Sequence, residues 1–224
     1  MSSVRDTDEI RGLRDSDCGC KVTKKMLSLF SKQINFRMST HRLHPKKDET
    51  YFMTFTCHKW LPLIEQTNLY TYFEKWFEYL HQNHAHLLGY VIMPNHVHLL
   101  IYQDEKSPKV LNTLVSNGKR FLAYEIIKRL SENNRNNILY FLRKDVALND
   151  KKKGKKHQVF RPSFDAKLCF NLRMLETKLH YIHKNPVSGK WRLADDWSQY
   201  PYSSAGFYEL NQENDFLTHY KDIW

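Results

Sequence analysis

Glycine is scarce, 7 residues in 224, and neither GxxxxGK nor GxGxxG occurs. So little glycine leaves no material for a loop that cradles phosphate, which argues against a nucleotide-driven motor and a dinucleotide-dependent dehydrogenase. Cysteine is rarer still. Cys18, Cys20, Cys57 and Cys169 are irregularly spaced and form no CxxC pair, so neither a disulfide scaffold nor a zinc ribbon is expected, and a reducing, cytoplasmic setting is. No apolar run reaches the length of a membrane span, and the N-terminus is polar and charged rather than built like a signal peptide, so no membrane partner is expected. Acidic residues are in deficit: 24 against 35 lysines and arginines, a net charge of +11. That excess favours a polyanionic partner. The 13 tyrosines and 13 phenylalanines suit either a core or a set of stacking surfaces for bases.

The length fits one domain with appendages. Residues 1–45 mix charges with Ser and Thr and read as an N-terminal extension of the disordered kind, and Met38 opens a natural alternative start. Residues 46–197 hold the periodic segments, and 198–224 form a C-terminal tail. YFMTFTC over Tyr51–Cys57 alternates as a strand. A helix is predicted from a Thr67 cap to Gln82, with the His84-Ala85-His86 triplet at its terminus. Ser107-Pro108 reads as a helix start, serine capping and proline at the first position, for a helix reaching Leu130. Residues 131–157 form a polar insertion with a helix across Ile138–Leu148 and a lysine-rich loop, Lys151, Lys152, Lys153, Lys155 and Lys156. Val159-Phe160 allows a short last strand.

Two stretches carry candidate chemistry. GYVIMPNHVHLLIY, Gly89–Tyr102, reads as a β-hairpin turning at Pro94-Asn95. Side chains in a strand repeat every two residues, so His96 and His98 share a face, a ready half-site for a metal ion. LRMLETKLHYIHK, Leu172–Lys184, is helical by periodicity, and Tyr181 falls on its polar side with Lys178 and Asn185. Spacing alone leaves both stretches open to a plain structural role. Lys119 and Arg120 lie beside the buried stripe of their helix, where they would meet phosphates or simply solvent. The lysine loop would attract a nucleic-acid backbone without regard to sequence.

YVIMPNHVHLLI followed by YIHKNPVSG and DWSQYPYSSAGFY closely resembles the single-tyrosine transposases of the HUH superfamily, in particular the REP-associated, IS200-like branch, over about Tyr51–Phe207. The resemblance implies an α+β, ferredoxin-like (RRM-like) antiparallel sheet flanked by helices. By position it makes His96, His98 and Asn185 ligands of a divalent metal, Mg2+ or Mn2+, and Tyr181 the nucleophile. A phenol, with a reference pKa near 10, needs such help at neutral pH. Attack would leave a 5′-phosphotyrosine and a free 3′-OH that can rejoin strands without ATP. The implied substrate is single-stranded, hairpin-forming DNA, handled by a monomer or homodimer. The alternatives are a catalytically silent DNA- or RNA-binding protein on the same fold, and a zinc hydrolase built on His96 and His98, which would lack an HExxH helix.

Overall fold

The computed structural model describes residues 46–224; the extension expected over 1–45 and the alternative start at Met38 lie outside the described residues. Four strands, β1 (Glu49–Thr56), β2 (Ala85–Ile92), β3 (His96–Gln103) and β4 (Asp165–Cys169), form one sheet in the order β2-β3-β1-β4, every pair antiparallel. Between β1 and β2 lie α1 (Leu63–Gln66) and α2 (Glu74–Gln82). Between β3 and β4 lie α3 (Leu111–Glu132), α4 (Asn136–Lys144) and α5 (Leu148–Lys152), and after β4 come α6 (Leu172–Lys184) and α7 (Ala205–Glu209). This is the ferredoxin-like α+β arrangement. Among the described residues no helix is long and apolar enough to cross a membrane.

The two-residue period of the strands sorts their side chains into two cores. Tyr51, Met53 and Phe55 of β1 and Val97, Leu99 and Ile101 of β3 meet Trp76, Phe77 and Leu80 of α2 and Leu114 and Leu122 of α3. Phe52 and Leu100 face the other way, joining Leu88 and Val91 of β2 and Leu175, Leu179 and Ile182 of α6. The parity that sends Leu100 to the α6 face sends His96 and His98 there too. The outer edge of β2 is covered by the C-terminal segment: Ser204 N–H donates to Tyr90 O (2.9 Å), Ile92 N–H to Tyr202 O (2.9 Å) and Thr218 N–H to Leu87 O (3.0 Å). An otherwise unpaired edge is thereby satisfied.

Several local expectations are corrected. His86 is a strand residue, paired with Tyr102, because His84 turns through a left-handed φ of 53° and starts β2 at Ala85. The helix expected from Thr67 is interrupted and becomes regular only at Glu74. Ser107 does not cap α3, whose N-cap is Val110; its hydroxyl donates instead to Lys109 O at 3.0 Å. The helix predicted across Ile138–Leu148 divides at extended Ala147 into α4 and α5, and α5 takes in Lys151 and Lys152 of the expected loop. The last strand is β4, while Phe160 makes only an isolated bridge to Cys57.

Helix α6 lies so close to β2 that a Cβ added at Gly89 would sit 2.5 Å from Leu179 Cδ1, beside the register shift at Leu87/Gly89. Gly89→Ala is expected to destabilise the protein by about 1–3 kcal/mol through overpacking. Urea unfolding measures this, and an unchanged midpoint would show that α6 yields freely.

Candidate active site

The turn at Met93–Asn95 is closed by Met93 N–H donating to His96 O at 2.9 Å, and β3 leaves it with His96 opposite Thr56 and His98 opposite Thr54. The two imidazoles stand with ring centres 4.8 Å apart and planes at 79°. Each is held by its Nδ1. His98 Nδ1 lies 2.6 Å from Thr54 Oγ1, and its ring stacks on Phe52 with centres 5.6 Å apart. His96 Nδ1 lies 2.7 Å from Asn95 Oδ1, while Asn95 Nδ2 donates to Trp60 O at 3.0 Å. That second bond fixes the orientation of the amide, since a carbonyl can only accept. The oxygen therefore faces His96, Nδ1 carries the proton, and Nε2 is the unprotonated nitrogen.

Burial dominates the electrostatics. It pulls His96 down to about 4, partly opposed by a hydrogen bond with Asn185, with Lys190 adding repulsion. His98 falls to about 3 for the same reason, with His96 and Lys178 as lesser causes. Both rings are neutral at physiological pH. His98 Nε2 is buried with no hydrogen-bond partner, a costly state for a polar atom unless something else meets it.

Helix α6 brings the other candidates to the same face. Asn171 caps it, its side chain accepting from Met174 N–H at 2.8 Å, and Leu175, Leu179 and Ile182 are buried. Tyr181 is left 49% exposed. Its ring meets His98 edge-on at 5.1 Å and Phe52 at 5.9 Å. Asn185, just past the helix end, reaches His96. One chain thus brings together His96, His98, Tyr181 and Asn185. Lys178, one turn before Tyr181, lies 5.0 Å over the Phe52 ring and adds positive charge to this face.

These residues fit a divalent cation. The orphaned Nε2 of His98, the unprotonated Nε2 of His96 and the Asn185 amide offer two nitrogens and one oxygen. Among the described residues no group of three His, Cys, Asp or Glu side chains could hold a metal, and the amide oxygen of Asn185 is the candidate third donor that reaches His96. Such a set accepts Mn2+ at least as readily as Mg2+, which prefers oxygen.

The basic residues are dispersed. Lys119 is engaged: its ammonium donates to the carbonyls of Arg161 (2.7 Å), Pro162 (3.2 Å) and Ser163 (3.3 Å), and burial pulls its pKa down to about 8. Arg120 is exposed, 3.2 Å from Asn117 Oδ1. Lys151, Lys152, Lys153 and Lys156 are exposed, and Lys155 pairs with Asp150 at 3.2 Å. The functional neighbours that sequence reasoning missed are Thr54, Asn95, Phe52 and Trp60. Asn95 adjoins His96 in PNHVH, but its orientation depends on Trp60, thirty-five residues earlier.

No protein-family model matches the chain, and no curated protein matches it. Among solved structures the chain is similar to a REP-associated tyrosine transposase bound to a REP hairpin, at 18% identity over 81% of this chain and 94% of that one, with a TM-score of 0.48. It is also similar to a candidate transposase from Deinococcus radiodurans R1, at 16% identity over 65% of this chain and 95% of that one, with a TM-score of 0.36.

His183 is buried as well, lowered to about 4 by desolvation, 2.9 Å from Ser204 Oγ and stacked on Trp197. The unfolded chain therefore binds more protons than the native one below an imidazole's usual value of about 6.5, and stability present above that pH is lost on acidification. With chelator present, the urea midpoint is expected to fall progressively from pH 6.5 towards pH 4. A flat profile would mean that these rings are solvated in solution.

Proposed function

We propose that this chain nicks and rejoins single-stranded DNA in a metal-dependent, transposase-type reaction, with Tyr181 as nucleophile and a 5′-phosphotyrosine intermediate. One observation carries this reading: an exposed phenol stands edge-on, 5.1 Å between ring centres, against an imidazole whose Nε2 is buried and without a partner. The phenol oxygen attacks the phosphorus, the P–O3′ bond breaks, and the departing 3′-oxygen takes up a proton as the phenol loses one. The phosphodiester count is unchanged, so a 3′-OH can reverse the step and join strands without a nucleotide cofactor.

His96, His98 and Asn185 are the residues that would hold Mg2+ or Mn2+, whose positive charge would offset that developing on the phosphate oxygens. Thr54 and Asn95 keep the two imidazoles in the orientation that ligation requires. Lys178 adds a charge on the phosphate side. The hairpin substrate is supported by the resemblance of PNHVHLL and YIHKNP to the REP-associated branch, and the polyanion by the net charge of +11.

The test is incubation with end-labelled single-stranded hairpin DNA, with Mg2+, Mn2+ or chelator, resolved on denaturing gels. A covalent band that needs metal and is lost in Tyr181→Phe is expected. DNA binding without any such band would favour a catalytically silent binding protein.

Lys151, Lys152, Lys153 and Lys156 are read as sequence-independent contacts to the DNA backbone. Neutralising them is expected to weaken binding to all sequences alike and to lower the salt dependence by a slope of roughly 0.7 per lost phosphate contact. A changed sequence preference, read by filter binding against salt, would instead mean that this segment reads bases.

A further inference from the structure

Trp60 is a large aromatic residue held where burial does not require it. It is 42% exposed, and its ring stands edge-on to His96 with centres 5.9 Å apart. Its backbone is in the left-handed region, φ 60°, directly after Lys59 at φ 49°. These two are the only consecutive non-glycine residues of positive φ among the described residues. Residues kept in such conformations cost free energy, and they persist where their surroundings over-determine them.

The surroundings do so from two sides. On the site side, Asn95 Nδ2 donates to Trp60 O at 3.0 Å. On the other, Asp145 Oδ2 lies 2.7 Å from both Lys59 Nζ and His58 Nε2, and His58 N–H donates to Val159 O at 2.7 Å. Above the indole, Arg161 places its guanidinium 5.8 Å from the ring centre. Arg161 is positioned in turn, its carbonyl held by Lys119 at 2.7 Å and its N–H donating to Thr56 O at 2.9 Å. An indole face beside a candidate metal ligand, with a cation over it, joins the two elements of single-strand recognition, a stacking surface and a charge for the backbone.

We infer that Trp60 and Arg161 form a stacking site for an unpaired base next to the phosphate that undergoes cleavage. The base lies on the indole, and Arg161 pairs with the adjoining phosphate or closes over the base. The inference rests on the reading of the site as one for single-stranded DNA. It adds that the nucleotide is gripped through its base and not by charge alone. Stacking tolerates every base because each has a π face, so this site fixes where the strand sits and does not choose its sequence.

The test uses two labelled probes of equal charge, a twelve-nucleotide thymidine oligomer and a twelve-unit abasic deoxyribose-phosphate oligomer. They are titrated by fluorescence anisotropy into the full chain and its Trp60→Ala, Trp60→Phe and Arg161→Ala variants. Wild type is expected to prefer the thymidine oligomer. Trp60→Ala weakens that binding about ten-fold, the size of one lost base stack, and leaves the abasic oligomer unchanged, while Trp60→Phe retains most of the preference. Arg161→Ala weakens both probes. In a parallel experiment, an oligomer carrying 5-iodouracil is photocrosslinked to wild type, and the crosslink is expected in the peptide holding Trp60.

Equal weakening of both probes in Trp60→Ala overturns the inference, as does full binding of both, a crosslink confined to other peptides, or wild type that binds neither. A phosphotyrosine band with no base preference sinks this inference alone. A Trp60-dependent base preference with no band sinks the cleavage reading and leaves the stacking site in place.

Discussion

The amide of Asn95 is the interaction on which the site depends. The residue is 1% exposed, and its carbonyl and both ends of its amide are engaged. Its carbonyl accepts from Cys57 N–H at 2.8 Å, its Nδ2 donates to Trp60 O at 3.0 Å, and its Oδ1 lies 2.7 Å from His96 Nδ1. Flipping the amide would set its NH2 group against a protonated ring nitrogen and leave the Trp60 carbonyl facing an oxygen. Two buried groups would then lose their partners, at roughly 1–3 kcal/mol each. One orientation therefore prevails, and it decides which nitrogen of His96 is unprotonated. The proton position at a candidate metal ligand is thus set by the loop that leaves β1.

The sheet explains why the Nε2 of the neighbouring His98 is dry. Both faces are apolar, one against α2 and α3, the other against α6 and the C-terminal segment. The period of β3 inserts two imidazoles into the second face, between Phe52 and the tyrosine helix. A charged ring there would be expensive, so both rings are neutral and available as ligands. Helix α6 meets the sheet through Leu175, Leu179 and Ile182 and turns Tyr181 outward at their margin. The phenol is thus near a buried imidazole yet open to a large substrate.

How much of this was legible in the sequence follows from which forces are local. The hairpin, α6 with its bounds at Leu172 and Lys184, and the outward Tyr181 depend on periodicity and flanking prolines, and these could be read directly. Strand β4 could not, because DAKLC is only five residues long and contains no β-branched or aromatic residue to mark it as a strand. The place of Lys119 on its helix leaves phosphate and solvent both open to it, and the helix alone does not show that three carbonyls of residues 161–163 converge on its ammonium. Thr54 and Trp60 became visible only through register and loop packing. The motif letters named the candidate reacting groups, and the tertiary contacts supplied the groups that orient them.

The polar insertion over 131–157 illustrates the same point. By composition it looks like a solvated excursion with a charge run. In the fold, Leu142 and Val146 are buried, Gln158 N–H donates to Leu142 O at 2.9 Å, and Asp145 accepts from both His58 and Lys59. Hydrogen bonds from these two side chains hold the Asp145 carboxyl below its ordinary range, Lys59 contributing more than His58. The insertion thereby grips one end of the left-handed Lys59–Trp60 segment while Asn95 grips the other. A strained pair of residues needs support from two directions, because a single tether would let the strain relax by rotation about it. The insertion thus reaches the site through the backbone it braces, and its charge run is a separate feature on its outer surface.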